Sequence, residues 1–114
     1  ESGVTSAGDP QWQTKFEVPY QDIVLPFYAV LGNHDYGGNG AGTEFDKGQN
    51  EVDYSLVSPK WKLPAPHYRR TWRQVEFFGL DTNLQYFGMD AQQRVDVAGW
   101  LASSTMPAAA CNWM

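Results

Sequence analysis

An asparagine, a histidine and an aspartate follow one another in the string GNHD, which occupies residues 32–35. The carboxamide oxygen of Asn33 can bind a divalent metal ion without adding charge, and the imidazole of His34 can donate a hydrogen bond to an anion. Asp35 follows directly and is a candidate for orienting that imidazole as a supporting partner. These residue types at this spacing therefore predict a metal ion and an anion at one turn.

Each of these residues also has an ordinary structural explanation, because Asn, Asp and Gly are common turn formers and most loop histidines have no catalytic role. The position of the string is the stronger argument. It follows FYAVL, residues 27–31, in which every residue is apolar. Ligands of open α/β sheets lie beyond the carboxyl ends of the strands. We therefore predict a strand over 27–31, buried on both faces as in a parallel sheet, with GNHD at its end.

The segments on either side of GNHD predict helix and then loop. Asp9, which precedes a proline, predicts the start of a helix of about two turns that buries Trp12 and Phe16. Residues 33–63 are rich in glycine, polar residues and proline. They predict a long functional loop region with at most a short helix near 44–49, unless the stretch contains further elements whose pattern is not evident.

Two strands and a helix are predicted next. The strings HYRRTWRQ and VEFFGLD predict a hairpin that turns at Arg73 and Gln74. Asp90 is the predicted cap of a helix over 90–105. The residues expected on its inward face are Val95, Ala98, Leu101 and Ala102. The string CNWM, residues 111–114, is typical of the beginning of another strand, so the order of elements predicts an α/β or α+β fold.

The amino-acid composition disfavours several classes of binding partner. The 114 residues include 8 basic and 13 acidic side chains, and the net charge of -5 disfavours binding to nucleic acid or to an anionic membrane surface. We interpret Arg69, Arg70 and Arg73 as the solvated face of a strand. Cys111 is the single cysteine, which excludes an internal disulfide and a paired-thiolate metal site. The sequence contains neither an apolar run of about 18 residues nor a signal-peptide pattern.

Several segments together resemble the calcineurin-like metallophosphoesterases, and within them the small purple acid phosphatases related to tartrate-resistant acid phosphatase. LPFYAVLGNHDYGGN is similar to the strand and loop that carry the family's motif, and DPQWQTKFEVPY is similar to the helix before them. SPKWKLPAPHYRRTW, VEFFGLDT and QQRVDVAGWLASS continue in the family's order. Only GNHD is specific to the family's chemistry.

The resemblance implies an acid phosphatase with a dinuclear metal centre, in which iron is paired with iron, zinc or manganese. Its substrates would be phosphomonoesters, hydrolysed by an activated hydroxide. Asn33 matches a metal ligand of the family, and His34 matches the residue that contacts the phosphate and protonates the leaving group. Asp35 matches a position where the family has Asp or Glu, and we expect it to have only a supporting role. The family also implies a secreted, lysosomal or periplasmic location.

The resemblance further implies that most of the metal site lies elsewhere. The family's Asp-x-His, Gly-Asp-x-x-Tyr and Gly-His blocks do not occur in this sequence, and His67, the only other histidine, is expected to be structural. Residues 1–114 are therefore expected to form one partial domain, the central portion of a metallophosphoesterase αββα sandwich, without the N-terminal and C-terminal ligand blocks. One asparagine cannot hold a metal ion against water, so we expect the chain alone to bind no metal and to be inactive.

Two other functions are considered. A non-catalytic structural or protein-binding module in a larger assembly would explain the missing ligands. A phosphate or nucleotide site on the glycines of residues 36–42 is disfavoured, because the string lacks the Lys-Ser/Thr of a Walker loop and opens no helix. If the neighbouring strands are absent, the strand over 27–31 would have unpaired edges and an uncovered apolar face, which predicts aggregation or a need for other chains to cover them.

Overall fold

The computed structural model describes residues 3–104. The fold is α+β, as the sequence predicted. Its strands form two small sheets, in which β1 (Phe27–Tyr28) pairs in parallel with β2 (Trp61–Lys62) and β3 (Tyr68–Trp72) pairs antiparallel with β4 (Val75–Gly79). The α-helices of this region are α1 (Gly48–Tyr54), α2 (Thr82–Tyr86) and α3 (Ala91–Ser103). The predicted strand at 111–114 and Cys111 lie outside the described residues.

The first helical segment begins at Asp9, as predicted. The backbone amide of Gln11 donates a hydrogen bond of 2.9 Å to the Asp9 carboxylate. This bond is the main cause that lowers the pKa of Asp9 to about 2. The segment ends as one turn of π-helix, Gln13–Glu17. Trp12 and Phe16 are both buried, which confirms that they share the inward face.

The strand predicted over residues 27–31 is shorter than expected, and the prediction that it is buried on both faces is wrong. Only Phe27 and Tyr28 pair with another strand. Leu31 is buried, but Val30 is 56% exposed. The physical reason is that β2 is its only pairing partner within residues 3–104, so its other edge has no strand beside it.

The region over residues 33–63 contains more regular structure than the sequence predicted. Two 3₁₀ turns, Gly38–Gly40 and Phe45–Lys47, precede α1, and β2 follows it. The indole Nε1 of Trp61 in β2 donates a hydrogen bond of 2.9 Å to the carbonyl of Glu51 in α1. Such short elements depend on contacts of this kind, which sequence periodicity does not reveal.

The hairpin of β3 and β4 forms as predicted, with Arg73 in the turn at φ 55°. The interpretation of its arginines as a merely solvated face needs correction. Arg69 forms an ion pair with Glu76 on the neighbouring strand. The guanidinium carbon of Arg70 lies 3.6 Å from the centre of the Tyr28 ring, a cation–π contact that joins the hairpin to β1.

Helix α3 begins after its predicted cap, because the Asp90 carboxylate accepts a hydrogen bond of 3.0 Å from the amide of Gln93. The predicted inward face is wrong. All of the residues expected on that face are exposed, namely Val95, Ala98, Leu101 and Ala102. Gln93 is buried instead, since its amide group both donates to the carbonyl of Asp81 (2.9 Å) and accepts from the amide of Asp81 (2.7 Å). These bonds satisfy two buried backbone groups and set the rotation of the helix.

The core consists of two apolar clusters. One contains Val4, Trp12, Phe16 and Tyr54, and the other contains Leu31, Tyr36, Leu63 and Tyr68. Trp61 packs against both clusters and therefore joins them. No helix within residues 3–104 is long and apolar enough to cross a membrane.

Candidate functional site

The GNHD turn, residues 32–35, lies directly after the buried Leu31. The Asp35 carboxylate accepts a hydrogen bond of 2.7 Å from the amide of Gly32, and the Asp35 amide donates one of 3.2 Å to the carbonyl of Gly32. Asp35 therefore closes the turn on itself. A Cβ atom at Gly3 would lie 2.4 Å from the Asp35 carbonyl oxygen, so the N-terminal segment passes tightly against this turn.

Asn33 is exposed at the mouth of the turn. Its side-chain nitrogen donates a hydrogen bond of 2.5 Å to the carbonyl of Gly40. Because the nitrogen end of the carboxamide is held in this way, its orientation is set and the oxygen Oδ1 is directed away from Gly40. An oriented amide oxygen is the donor that a metal ion requires from an asparagine.

The ring of His34 lies against the other side of Gly40. A Cβ atom at Gly40 would be 2.7 Å from Cε1 of His34, and Gly40 has φ +87°, so this position requires glycine. Gly40 therefore lies between Asn33 and His34. Its carbonyl accepts the hydrogen bond from Asn33, and its Cα packs against the ring of His34.

A carboxyl group that sequence reasoning missed lies beside His34. Glu51 of α1 is only 5% exposed and lines a cavity of about 220 Å³ together with His34 and Asp35. Burial is the main cause that raises the pKa of Glu51 to about 8, and the negative charge of Asp35 adds to it. Glu51 is therefore neutral under acidic conditions. No signal in the sequence distinguishes it from an ordinary helical surface glutamate.

The turn is connected to α2 through Tyr36. The phenol of Tyr36 donates a hydrogen bond to the carboxylate of Asp81, and burial together with that carboxylate raises the pKa of Tyr36 far above its ordinary value. Asp81 also caps α2, since it accepts a hydrogen bond of 2.9 Å from the amide of Leu84. The same carboxylate thus orders both the loop and the helix beside it.

A shallow cleft of about 360 Å³, the Asn33 cleft, opens between the GNHD turn and α2. It is lined by Gly32, Asn33, Gly40, Ala41, Thr82, Asn83, Tyr86 and Phe87. The side-chain amide of Asn83 donates a hydrogen bond of 2.9 Å to the carbonyl of Gly42, which ties the glycine-rich segment 36–42, the lip of the cleft, to α2. The lip is therefore held by specific contacts on both sides, from Asn33 to Gly40 and from Asn83 to Gly42.

His67 lies away from the cleft and contacts two carboxylates of the α3 region. Its Nε2 is hydrogen-bonded to Asp96 at 2.8 Å. Its Nδ1 lies 2.9 Å from a carboxylate oxygen of Asp90, without the alignment of a hydrogen bond. These contacts join the start of β3 to α3 and agree with the structural role expected for His67.

The metal-ligand set is incomplete in the part of the chain that the structure describes. Residues 3–104 contain no group of three or more His, Cys, Asp and Glu side chains that could hold a metal ion. The structure brings Asn33, His34 and Asp35 to one turn.

Comparison with known proteins decides the family resemblance. No family model matches the sequence. Tartrate-resistant acid phosphatase type 5 of Mus musculus is 36% identical over 90 residues, which are 71% of this chain and 25% of that protein. The human protein of the same name is 32% identical over the same shares. The predicted resemblance to the tartrate-resistant acid phosphatases is confirmed.

The similarity covers only part of the length of the tartrate-resistant acid phosphatases. This chain spans about a quarter of the length of those relatives. Glideosome-associated protein 50 of Plasmodium falciparum (isolate 3D7) is also similar, with 31% identity over 58% of this chain and 20% of that protein. The named relatives therefore include both phosphatases and a protein named for its association with an assembly.

Proposed function

We propose that these residues are the central part of a metal-dependent acid phosphatase that hydrolyses phosphomonoesters. In this proposal residues 1–114 are one partial metallophosphoesterase domain, and the remaining metal ligands come from other parts of the intact gene product. The observation that carries the proposal is the arrangement around Gly40, which holds the amide of Asn33 and the ring of His34 at one turn. The similarity to tartrate-resistant acid phosphatases supports it.

Asn33 fits a metal ligand in this proposal. The Gly40 carbonyl binds the nitrogen end of its carboxamide and leaves Oδ1 as a neutral oxygen donor, which suits iron, zinc or manganese. A dinuclear centre of this kind, when bound, supplies an activated hydroxide and neutralises phosphate charge. One amide donor binds a metal ion weakly, so we expect the 114-residue chain alone to hold no metal and to have no phosphatase activity.

His34 is the proposed acid. Its imidazole would donate a hydrogen bond to the phosphate and then a proton to the departing alkoxide, which leaves as the alcohol. Asp35 would support His34 indirectly, because it closes the turn that carries the ring. By the same family resemblance we propose a secreted, lysosomal or periplasmic location.

The test uses the intact gene product with its metal content measured by mass spectrometry and its activity measured as phosphate release from glycerol 2-phosphate, whose alkoxide leaving group needs a proton. We expect His34→Asn to retain the metal and to lower kcat about 10²- to 10⁴-fold, as loss of a general acid does. We expect Asn33→Ala to lose part of the metal. The matched control is His67→Phe, which changes the other histidine and is expected to retain both. An unchanged kcat in His34→Asn would contradict the proposal.

A second candidate function is a protein-binding module, and one surface favours it. An apolar groove of about 570 Å³ lies between the β1 segment and the hairpin, and its exposed members include Leu25, Tyr28, Val30, Trp72 and Phe77. Exposed apolar surfaces of this kind are typical of interfaces. An intact gene product that binds no metal and hydrolyses no phosphomonoester would favour this function over the first.

A further inference from the structure

The buried carboxyl of Glu51 lies in a cavity that His34 also lines. This cavity of about 220 Å³, the Glu51 cavity, is further lined by Asp35 of the GNHD turn and by Lys15 of the first helical segment. Within residues 3–104 these three are the titratable side chains that line the cavity with Glu51. His34 does not line the Asn33 cleft. Its ring is thus open to the Glu51 cavity, and an anion that it binds there lies beside Glu51.

Contacts of the neighbouring residues of α1 hold Glu51 in this position. The side-chain amide of Asn50 donates a hydrogen bond of 3.1 Å to the carbonyl of Val4, which ties the helix to the N-terminal segment. A Cβ atom at Gly48 would lie 2.5 Å from the ring of Tyr36, so the first residue of α1 packs tightly against the residue that follows the GNHD turn. Because α1 is held on both sides, the Glu51 carboxyl stays in the cavity in both of its charge states.

The charge of Glu51 is sensitive to negative charge on the GNHD turn. Burial raises the pKa of Glu51 to about 8, and the charge of Asp35 is the second cause of this rise. Coupling between two sites is reciprocal, so an ionised Glu51 opposes a negative charge at the turn as strongly as that charge opposes the ionisation of Glu51. A phosphate group at His34, the residue before Asp35, would act on Glu51 in the same sense as Asp35 does.

We propose that the charge of Glu51 controls the binding of phosphate at His34: the neutral carboxyl admits the anion, and the carboxylate repels it. This inference rests on the proposed phosphatase function, because it places the phosphate at His34. An ionised Glu51 puts a second negative charge into a buried site, where salt screens charges only weakly. The phosphate group is anionic in the substrate and in the transition state alike, so this control changes KM and leaves kcat unaltered.

The experiment measures the inhibition constant of inorganic phosphate at pH 6 and at pH 9 in the intact gene product, with glycerol 2-phosphate as substrate. We expect Glu51→Gln to bind phosphate as tightly as the unaltered protein at pH 6 and about 3- to 10-fold more tightly at pH 9. About tenfold is the upper limit, because at pH 9 about one molecule in ten still has a neutral Glu51 when the pKa is about 8. Asp53→Asn is the matched control, since it removes an exposed carboxylate of the same helix and should leave both inhibition constants unchanged.

A second measurement does not depend on turnover. Infrared spectroscopy of the unaltered protein follows the carbonyl band of a carboxyl group that is still protonated at pH 7, where ordinary carboxyl groups have ionised. This band is expected to be lost in Glu51→Gln. Because the coupling is reciprocal, saturating inorganic phosphate should move the midpoint of its titration upward by at least about 0.5 pH unit.

The outcomes separate this inference from the phosphatase function. Equal phosphate affinities of Glu51→Gln and the unaltered protein at pH 9 would overturn the role of Glu51 and leave the phosphatase function standing. A band midpoint that phosphate does not move would have the same meaning. A lower kcat in Glu51→Gln at pH 6 with unchanged phosphate affinity at both pH values would also overturn it, since that result indicates a disturbed site. Absence of phosphate release by the unaltered protein would overturn both proposals.

Discussion

Tyr36 donates a hydrogen bond from its phenol to the carboxylate of Asp81, which lies 45 residues further along the chain. Tyr36 is 1% exposed and Asp81 is 0% exposed, so water cannot replace either partner. The first residue follows the GNHD turn and the second caps α2. One buried hydrogen bond therefore joins the two walls of the Asn33 cleft.

Tyr36→Phe is expected to destabilise the protein by about 1–3 kcal/mol, because the buried Asp81 oxygen loses its partner while the ring volume stays nearly the same. The free energy of unfolding in urea measures this. Tyr86→Phe is the control, since it removes a phenol that is exposed to water and should change stability by less than about 0.5 kcal/mol. Equal effects of the two substitutions would contradict this interpretation.

Gly42→Ala is expected to destabilise the protein by about 1–3 kcal/mol, because Gly42 has φ +71° and a Cβ atom there would lie 2.2 Å from Oδ1 of Asn83. Gly99→Ala gives the opposite expectation. Gly99 lies inside α3 with nothing within 4 Å of a new Cβ atom, so alanine should stabilise by about 0.5–1 kcal/mol. Thermal unfolding of both variants tests this, and a loss of stability in Gly99→Ala would show that α3 packs differently.

Glu51 is expected to make stability depend on pH between about pH 4.5 and pH 8, the ordinary and the raised pKa of this carboxyl. In this range the unfolded chain releases a proton that the folded chain retains. Stability is therefore full below pH 4.5 and falls as the pH rises toward 8. Glu51→Gln cannot ionise and should flatten this fall, so it should be more stable than the unaltered protein at pH 7. Urea unfolding at pH 5 and pH 7.5 measures the difference, and parallel pH curves would contradict burial of an ionisable Glu51.

Asp96 has its pKa lowered, chiefly by the hydrogen bond with His67 and further by the side chain of Gln92. A carboxyl group whose pKa is lowered in the folded state stabilises the fold at pH values above the ordinary pKa of an aspartate. This stabilisation is lost as the pH falls through the lowered pKa. His67→Gln is expected to move the pKa of Asp96 up toward its ordinary value. Carbon-13 NMR titration of the carboxyl group measures the shift. Gln92→Ala should raise it less, and the reverse order would contradict the assigned causes.

Much of the local structure could be predicted from the sequence, because local rules decide it. The caps at Asp9 and Asp90 and the hairpin with its turn at Arg73 depend on residues within a few positions of one another. The resemblance to the tartrate-resistant acid phosphatases was confirmed by comparison with known proteins, since similarity of sequence is a property of contiguous residues. The roles of Asn33, His34 and Asp35 stay predictions.

The rest depends on contacts between distant residues, which a single sequence does not contain. The inward face of α3 is set by Gln93, whose amide bonds the backbone of Asp81, and hydrophobic periodicity assigned it to apolar residues instead. The strand over 27–31 is apolar throughout, but burial needs neighbouring strands that residues 3–104 do not supply. Glu51 could not be recognised, because its burial arises from the packing of α1 beneath the GNHD turn.

The lip of the Asn33 cleft has a consequence for the order of folding. Its two anchors, Tyr36 to Asp81 and Asn83 to Gly42, span 45 and 41 residues of chain. Closing such long loops costs entropy before any contact compensates for it, so contacts of this range form late. The hairpin closes over only a few residues and can form early. We therefore expect the GNHD turn to reach its native arrangement in the last step of folding, after the elements around it are in place.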